Sequence, residues 1–300
     1  MALARQARRW DVALSLREYG AWARRPNDGG LEPARTQVVG TTDDGVELVL
    51  DWWPATGEHV RAPAAGEDVR APAVVKVHGG GWTGGGRNEA AQWNRWLNER
   101  GYHVADVEYR LPPPPRWQDA VADVQRAVIW VVERADELGV DPTRISLFGH
   151  SAGGHLALVA GMGGTAGGSD VPRVRCIVNI YGPADLGRLY GTGGSHVYLD
   201  ECLRAFLGGS PAQHPDRYRA VSAVARAGPS SPPTITVHGR RDRLIPVEQA
   251  ALLDGALAAA GVAHETCALP ATDHSFDVNW GGFATQITRT RVERFLQQHG

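Results

Sequence analysis

Three hundred residues with 43% apolar side chains suffice for one large α/β domain with a substantial core. A formal charge of −2 and a pI near 6.6 supply no basic field for a phosphate backbone, which argues against a nucleic-acid partner. Cys176, Cys202 and Cys267 are too few and too scattered for a disulfide framework or a metal site, so a reduced, cytoplasmic protein is expected. Lys76 is the single lysine. Arginine carries nearly all the positive charge beside abundant Ala, Gly and Pro, a compositional bias of the source.

In residues 1 to 25, Trp10, Leu14, Leu16, Tyr19 and Trp22 lie among Arg5, Arg8, Arg9, Arg17, Arg24 and Arg25, with no uninterrupted apolar run. Neither a secretion signal nor a membrane span is expected of this stretch. The pattern predicts an amphipathic helix from Ala2 to Trp22 whose aromatic face docks on the protein itself, ended by Pro26 and Gly29-Gly30. Gln37 to Val39 and Val46 to Trp53 alternate apolar and polar residues across Thr41 to Gly45, an antiparallel hairpin. Gly57 to Ala64 is nearly repeated by Gly66 to Ala73; both copies are too short and Pro-rich for a structural repeat, and an exposed loop is expected.

Val74 to Val77 reads as a short buried strand, followed by His78-Gly79-Gly80-Gly81-Trp82 and Gly84 to Gly86. Neither GxGxxG nor GxxxxGK[ST] is present, so a phosphate cradle fails. Bare backbone beside a substrate, with N–H groups turned toward a carbonyl oxygen, is the alternative. Asn88 to Arg100 is predicted helical, Val104 to Tyr109 a strand, and Trp117 to Leu138 one long helix with Val121, Val124, Val128, Val131 and Val132 on its inner face.

An apolar strand beginning near Arg144 then runs into Gly149-His150-Ser151-Ala152-Gly153 and a further helix. A serine on a tight strand-to-helix turn needs neighbours without bulk, and its hydroxyl is pushed out at the sheet end. The Ala152 amide and the positive helix end would face the same spot. With Gly at 37 of 300 positions, chance supplies about 0.15 copies of this pattern, so the surrounding elements must decide. The remainder predicts a strand Val174 to Ile180, a connection Pro183 to Pro233 without a long periodic element, a strand Thr234 to Val237, a helix Val247 to Ala260, a strand Ala263 to Leu269 and a helix Phe283 to Gln297. Strands alternating with helices imply a mostly parallel, doubly wound sheet.

A serine nucleophile needs a histidine and an orienting acid. Asp242 follows the penultimate strand and His274 the last, both at carboxyl strand ends where open α/β sheets bind ligands. Asp273 competes for the acid's part, but a chain neighbour of a histidine seldom reaches its far ring nitrogen. His78 is expected to shape its turn, His150, His155 and His238 to be structural or pocket lining, and no HxxxH or HExxH spacing indicates a metal. His150, Trp82 and Trp280 sit beside motif residues and are candidates for the pocket wall, with core packing the alternative for the tryptophans.

His78-Gly-Gly-Gly-Trp82, Tyr109-Arg110-Leu111, Gly149 to Gly154, Asp242 with Pro246, and His274 together resemble the hormone-sensitive-lipase-like branch of the α/β-hydrolase superfamily over about residues 45 to 298. The set is similar also to kynurenine formamidases and feruloyl-esterase-like enzymes, because His150 stands where that branch usually has Asp. The resemblance implies an α/β-hydrolase sheet of about eight strands, the triad Ser151, Asp242 and His274, and an oxyanion hole from Gly80, Gly81 and Ala152. It also implies a cap from residues 1–36 and part of 184–227 on a catalytic domain 37–300. The implied activity is cofactor-free hydrolysis of small to medium carboxylic esters through an acyl-enzyme. An arylformamidase, an acyltransferase or lactone-processing enzyme, or a non-catalytic receptor are its rivals. The oligomeric state is left open.

Overall fold

The protein is described from a computed structural model that covers residues 1–22, 31–56, 70–163, 171–192 and 196–300. Eight strands make one sheet: β1 (Arg35–Thr41), β2 (Glu47–Trp53), β3 (Ala71–Val77), β4 (His103–Val107), β5 (Val140–His150), β6 (Ile177–Ile180), β7 (Thr234–Gly239) and β8 (His264–Leu269). Their spatial order is β1-β2-β4-β3-β5-β6-β7-β8. β2 runs antiparallel to β1 and β4, and the remaining pairings are parallel.

The central strands β3, β5 and β6 are largely buried and mostly apolar because both faces are covered. Ala73 and Val75 of β3 pack into one cluster with the helices Trp117–Glu133 and Ala152–Gly161. Val74 packs on the other face with the helices Ala91–Asn98 and Phe283–His299. Alternate residues along β3 thus feed two separate cores.

The predicted strand at Val74 starts earlier than its composition suggested. Ala71, Pro72 and Ala73, the end of the second repeat copy, already belong to β3, with a register shift against β5 between Ala71 and Ala73. Proline lacks a ladder donor and is tolerated at such an irregularity. Residues 57–69 of the duplicated segment lie outside the described residues.

The first predicted helix is two, Ala2–Arg9 and Leu16–Trp22. The first ends before Asp11, which takes φ 51°, and Ser15 starts the second, its hydroxyl accepting the Glu18 N–H at 3.1 Å as a helix cap. Gln286 clasps the backbone of the same residue, accepting from Ser15 N at 2.7 Å and donating to Ser15 O at 3.0 Å. Glu18 pairs with Arg289 of the same C-terminal helix. The long helix expected to Leu138 likewise divides, into Trp117–Glu133 and Ala135–Leu138.

The connection after β6 carries more order than expected. It holds the helices Leu186–Leu189, His196–Leu207, Pro215–Ala220 and Ala223–Arg226. In the longest, Leu199, Cys202, Leu203, Phe206 and Leu207 are buried. That is a helical stripe present in the sequence and overlooked among the surrounding Gly and Pro. Among the described residues no helix is long and apolar enough to cross a membrane.

Candidate active site

β5 ends at His150, and the next residue turns the chain. Ser151 has φ 51° and ψ −119°, a conformation that costs a non-glycine residue on the order of 1–3 kcal/mol and persists only where the surroundings fix it. They do: its N–H donates to Ile180 O at 2.9 Å and its carbonyl accepts His155 N at 3.1 Å. A Cβ on Gly149 would lie 2.2 Å from Gly153 O, and one on Gly153 would lie 2.2 Å from both Val77 O and His78 O. The missing side chains let the following helix sit directly on the end of β3.

His274 Nε2 lies 3.0 Å from Ser151 Oγ, and His274 Nδ1 lies 2.7 Å from Asp242 Oδ2. The carboxylate is fully buried. Its other oxygen accepts the N–H groups of Leu244 at 2.9 Å and Ile245 at 2.7 Å. Burial pushes the Asp242 carboxyl up, but hydrogen bonds from His238 and His274 outweigh it and hold the group well below the usual carboxylate range. Asp273 turns elsewhere: Oδ2 accepts Arg243 Nε at 2.6 Å, and Oδ1 accepts Arg243 N at 3.0 Å and His274 N at 2.9 Å.

The glycine turn after β3 faces the same point. Gly79 O accepts the Tyr109 hydroxyl at 3.2 Å and lies 2.8 Å from His78 Nδ1. Gly80 O accepts the amides of Thr83 at 3.2 Å and Gly84 at 3.0 Å. In a trans peptide the N–H points opposite to the carbonyl, so the amides of Gly80 and Gly81 are directed away from these partners. The φ of 107° at Gly80 and 60° at Gly81 makes the turn a glycine preserve. Ala152 opens the helix Ala152–Gly161, where an N–H has no intrahelical acceptor.

Ser151, His274, Gly80 and Gly81 line a cavity of about 520 Å³ with His150, Trp82, Leu244 and, from the connection helix, Tyr198 and Leu199. Trp82 forms the wall from behind at 1% exposure, its indole N–H donating to His155 Nδ1 at 3.1 Å and its ring stacked on Phe206. His155 Nε2 in turn meets Val221 O at 2.8 Å. Burial lowers this histidine to about 4, so it stays a neutral strut. Trp280 is edge-on to Trp93 under the Arg289 guanidinium and lines a neighbouring groove. That groove, about 660 Å³, lies between the N-terminal residues, the helix Ala91–Asn98 and the C-terminal helix. It is the larger concavity, yet none of Ser151, Asp242 and His274 lines it. Ala13, Ser15 and Glu18 line the groove, and no described residue of the N-terminal segment lines the Ser151 cavity.

Sequence reasoning missed one group. Asp277 lines the cavity and is 6% exposed. It accepts Trp93 Nε1 at 2.8 Å and the Tyr181 hydroxyl, with His150 Nε2 3.1 Å away. Burial pushes its carboxyl up, but His150 and the two donors hold it down at about 2. Its only signal was position, three residues after His274. Among the described residues no cluster of His, Cys, Asp or Glu could hold a metal.

The sequence profile of the BD-FAE family matches residues 60–257. The chain belongs to this family. The matched stretch includes Ser151 and Asp242 and ends before His274. Two Mycobacterium tuberculosis proteins are similar: the probable carboxylic ester hydrolase LipM, 32% identical over 83% of this chain, and the esterase LipC, 32% identical over 75%. The chain spans 58% of the length of each. A propionate-bound esterase from Thermogutta terrifontis superposes with a TM-score of 0.71 at 26% identity, covering 91% of this chain and 97% of its own. With the strand order above, the architecture is the α/β-hydrolase fold.

Proposed function

We propose that the chain hydrolyses carboxylic esters of small to medium size through an acyl-enzyme on Ser151. The observation that carries this is the continuous Ser151–His274–Asp242 relay, with separations of 3.0 and 2.7 Å, opening into a cavity of about 520 Å³. Esterase relatives and an esterase of the same fold support the ester as substrate class.

In this reading His274 Nε2 takes the Ser151 proton as Oγ bonds to the substrate carbonyl carbon, and the carbonyl oxygen becomes an oxyanion. The amides of Gly80, Gly81 and Ala152 receive that charge, and being fixed by the fold they need no reorganisation as it forms. Asp242, ionised and immobilised by Leu244 and Ile245, holds the imidazole and offsets its positive charge. The intermediate collapses as the C–O bond breaks, and His274 returns the proton to the departing alcohol. Water, deprotonated by the same histidine, then cleaves the acyl-serine to the acid and free Ser151. Tyr198 and Leu199 give the cavity an apolar flank for the acyl or alcohol group. A cytoplasmic location belongs to the same reading and rests on three unpaired, buried cysteines.

Ser151→Ala is expected to remove fluorophosphonate labelling and lower ester turnover on the order of 10⁶-fold with the circular dichroism spectrum unchanged. Labelling that survives the substitution would assign the nucleophile elsewhere. A ladder of p-nitrophenyl esters run beside N-formylkynurenine and a lactone fixes the substrate class, and faster turnover of the formamide would overturn the ester assignment.

A further inference from the structure

We infer that Asp277 is a positioning residue that holds the His274 loop against the elements carrying the nucleophile and the oxyanion turn. The inference rests on the triad reading and extends it. Asp277 lies in the single 3-10 turn Phe276–Val278, entered through Ser275 at φ 52°, so the loop bearing His274 has little regular structure of its own. Its carboxylate gathers groups from three other elements. Trp93 comes from the helix following the glycine turn, His150 from the end of β5 beside Ser151, and Tyr181 from the residue after β6.

Tyr181 makes the connection to the imidazole direct. Its ring centroid is 4.5 Å from that of His274 at an interplanar angle of 57°, while its hydroxyl donates to Asp277. Tyr181 holds φ 43°, an unfavourable conformation for a bulky residue that persists when contacts over-determine it. Burial, and then Asp277 itself, drive the phenol well above its ordinary range, so it remains a donor. One carboxylate therefore fixes both the loop that carries His274 and the ring the imidazole rests on. A buried carboxylate accepting from two side chains of different elements is a stronger tether than neutral hydrogen bonds would be. Misplacing a catalytic group by about 1 Å can cost 10²-fold in rate, so a remote tether can be felt in kcat.

The test compares Tyr181→Phe, Asp277→Asn, Asp277→Asn/Trp93→Phe and Ser151→Ala on p-nitrophenyl acetate, with melting temperatures recorded in parallel. Tyr181→Phe keeps the ring on His274 and removes only the hydroxyl. We expect kcat to fall about tenfold with KM within twofold. Asp277→Asn should fall about 100-fold in kcat, because its amide offers one acceptor oxygen to two donors, the Trp93 N–H and the Tyr181 hydroxyl. Adding Trp93→Phe removes that conflict and should restore part of the loss. A merely structural role would lower melting temperature and leave kcat well below it unchanged, which would overturn the inference, as would absence of any recovery in the double variant. If Asp277→Asn does not fold, Tyr181→Phe decides alone: unchanged kcat overturns the inference and a selective fall supports it. Activity surviving Ser151→Ala would instead sink the triad reading, whatever the Asp277 variants do.

Discussion

Replacing Lys76 by Met should unfold the protein far more readily than a substitution of similar volume suggests. Lys76 and Asp106 face each other in register on β3 and β4, 2.7 Å apart with both side chains at 0% exposure. Removing one member of such a pair leaves a buried charge uncompensated and costs about 3–5 kcal/mol. The upper part of that range applies, because Asp106 Oδ2 would keep only Asn88 N at 2.9 Å and Asn94 Nδ2 at 2.8 Å, while Oδ1 has no partner among the described residues. Against a typical total of about 5–15 kcal/mol this is a large fraction. Lys76 Nζ also donates to Glu89 O at 2.9 Å, anchoring a stretch in which Asn88 and Ala90 have positive φ and Glu89 and Ala90 line the cavity. KM should therefore rise in whatever fraction remains folded. The assay is urea unfolding followed by tryptophan fluorescence and circular dichroism, with the double variant Lys76→Met/Asp106→Leu alongside. The double should be more stable than Lys76→Met, since exchanging both partners removes the stranded charge, though Asn88 N–H and Asn94 lose their acceptor. A single variant within about 1 kcal/mol of wild type, or a double less stable than the single, would refute the reasoning.

Three further outcomes follow from the geometry. Asp242→Asn should lower kcat by about 10⁴-fold through the wrong imidazole tautomer, whereas Asp273→Asn, which loses an exposed contact to Arg243, should stay within about tenfold; steady-state kinetics giving the reverse order would reassign the acid. His155, lowered to about 4, should keep neutral imidazole resonances from pH 8 to 5 by NMR. Its folded value lies below its unfolded one, so the unfolded chain binds the proton first and stability falls as pH drops from about 6.5 toward 4; a resonance shift centred near pH 6.5 would contradict this. Deleting residues 1 to 22 removes the buried Ala7 and Val12 from the cluster they share with the C-terminal helix, and the Ser15 backbone that Gln286 clasps, so melting temperature should fall and all esters should lose activity in similar proportion. A selective loss on long or aromatic esters would instead give the segment a place over the pocket.

Much of this protein was legible locally. The β5 turn announces itself because only glycine fits at Gly149 and Gly153, where any Cβ would meet backbone oxygen at 2.2 Å, and a constraint on residue type is readable wherever the chain meets itself at short range. The central parallel strands showed as mostly apolar runs, interrupted by Lys76, Ser146 and Asn179, since burial on both faces is a compositional demand. Asp242 and His274 could be nominated because sheet topology sends the carboxyl ends of β7 and β8 to the same edge as Ser151. Other features required the assembled fold. Asp277 acquires its partners at sequence separations of 96 and 184 residues, and an aspartate in a loop carries no local mark of being buried. Trp280 stood next to motif residues in sequence but turned to a different groove, because direction within a loop is set by packing. The N-terminal stretch folds as two helices whose junction at Ser15 is clasped by Gln286, 271 residues away, which no periodicity in the first twenty-five residues could reveal. Residue type and spacing determine which conformations a segment tolerates. Which tolerated conformation forms, and which polar groups meet in the dark of the core, is decided by contacts between segments the sequence keeps far apart.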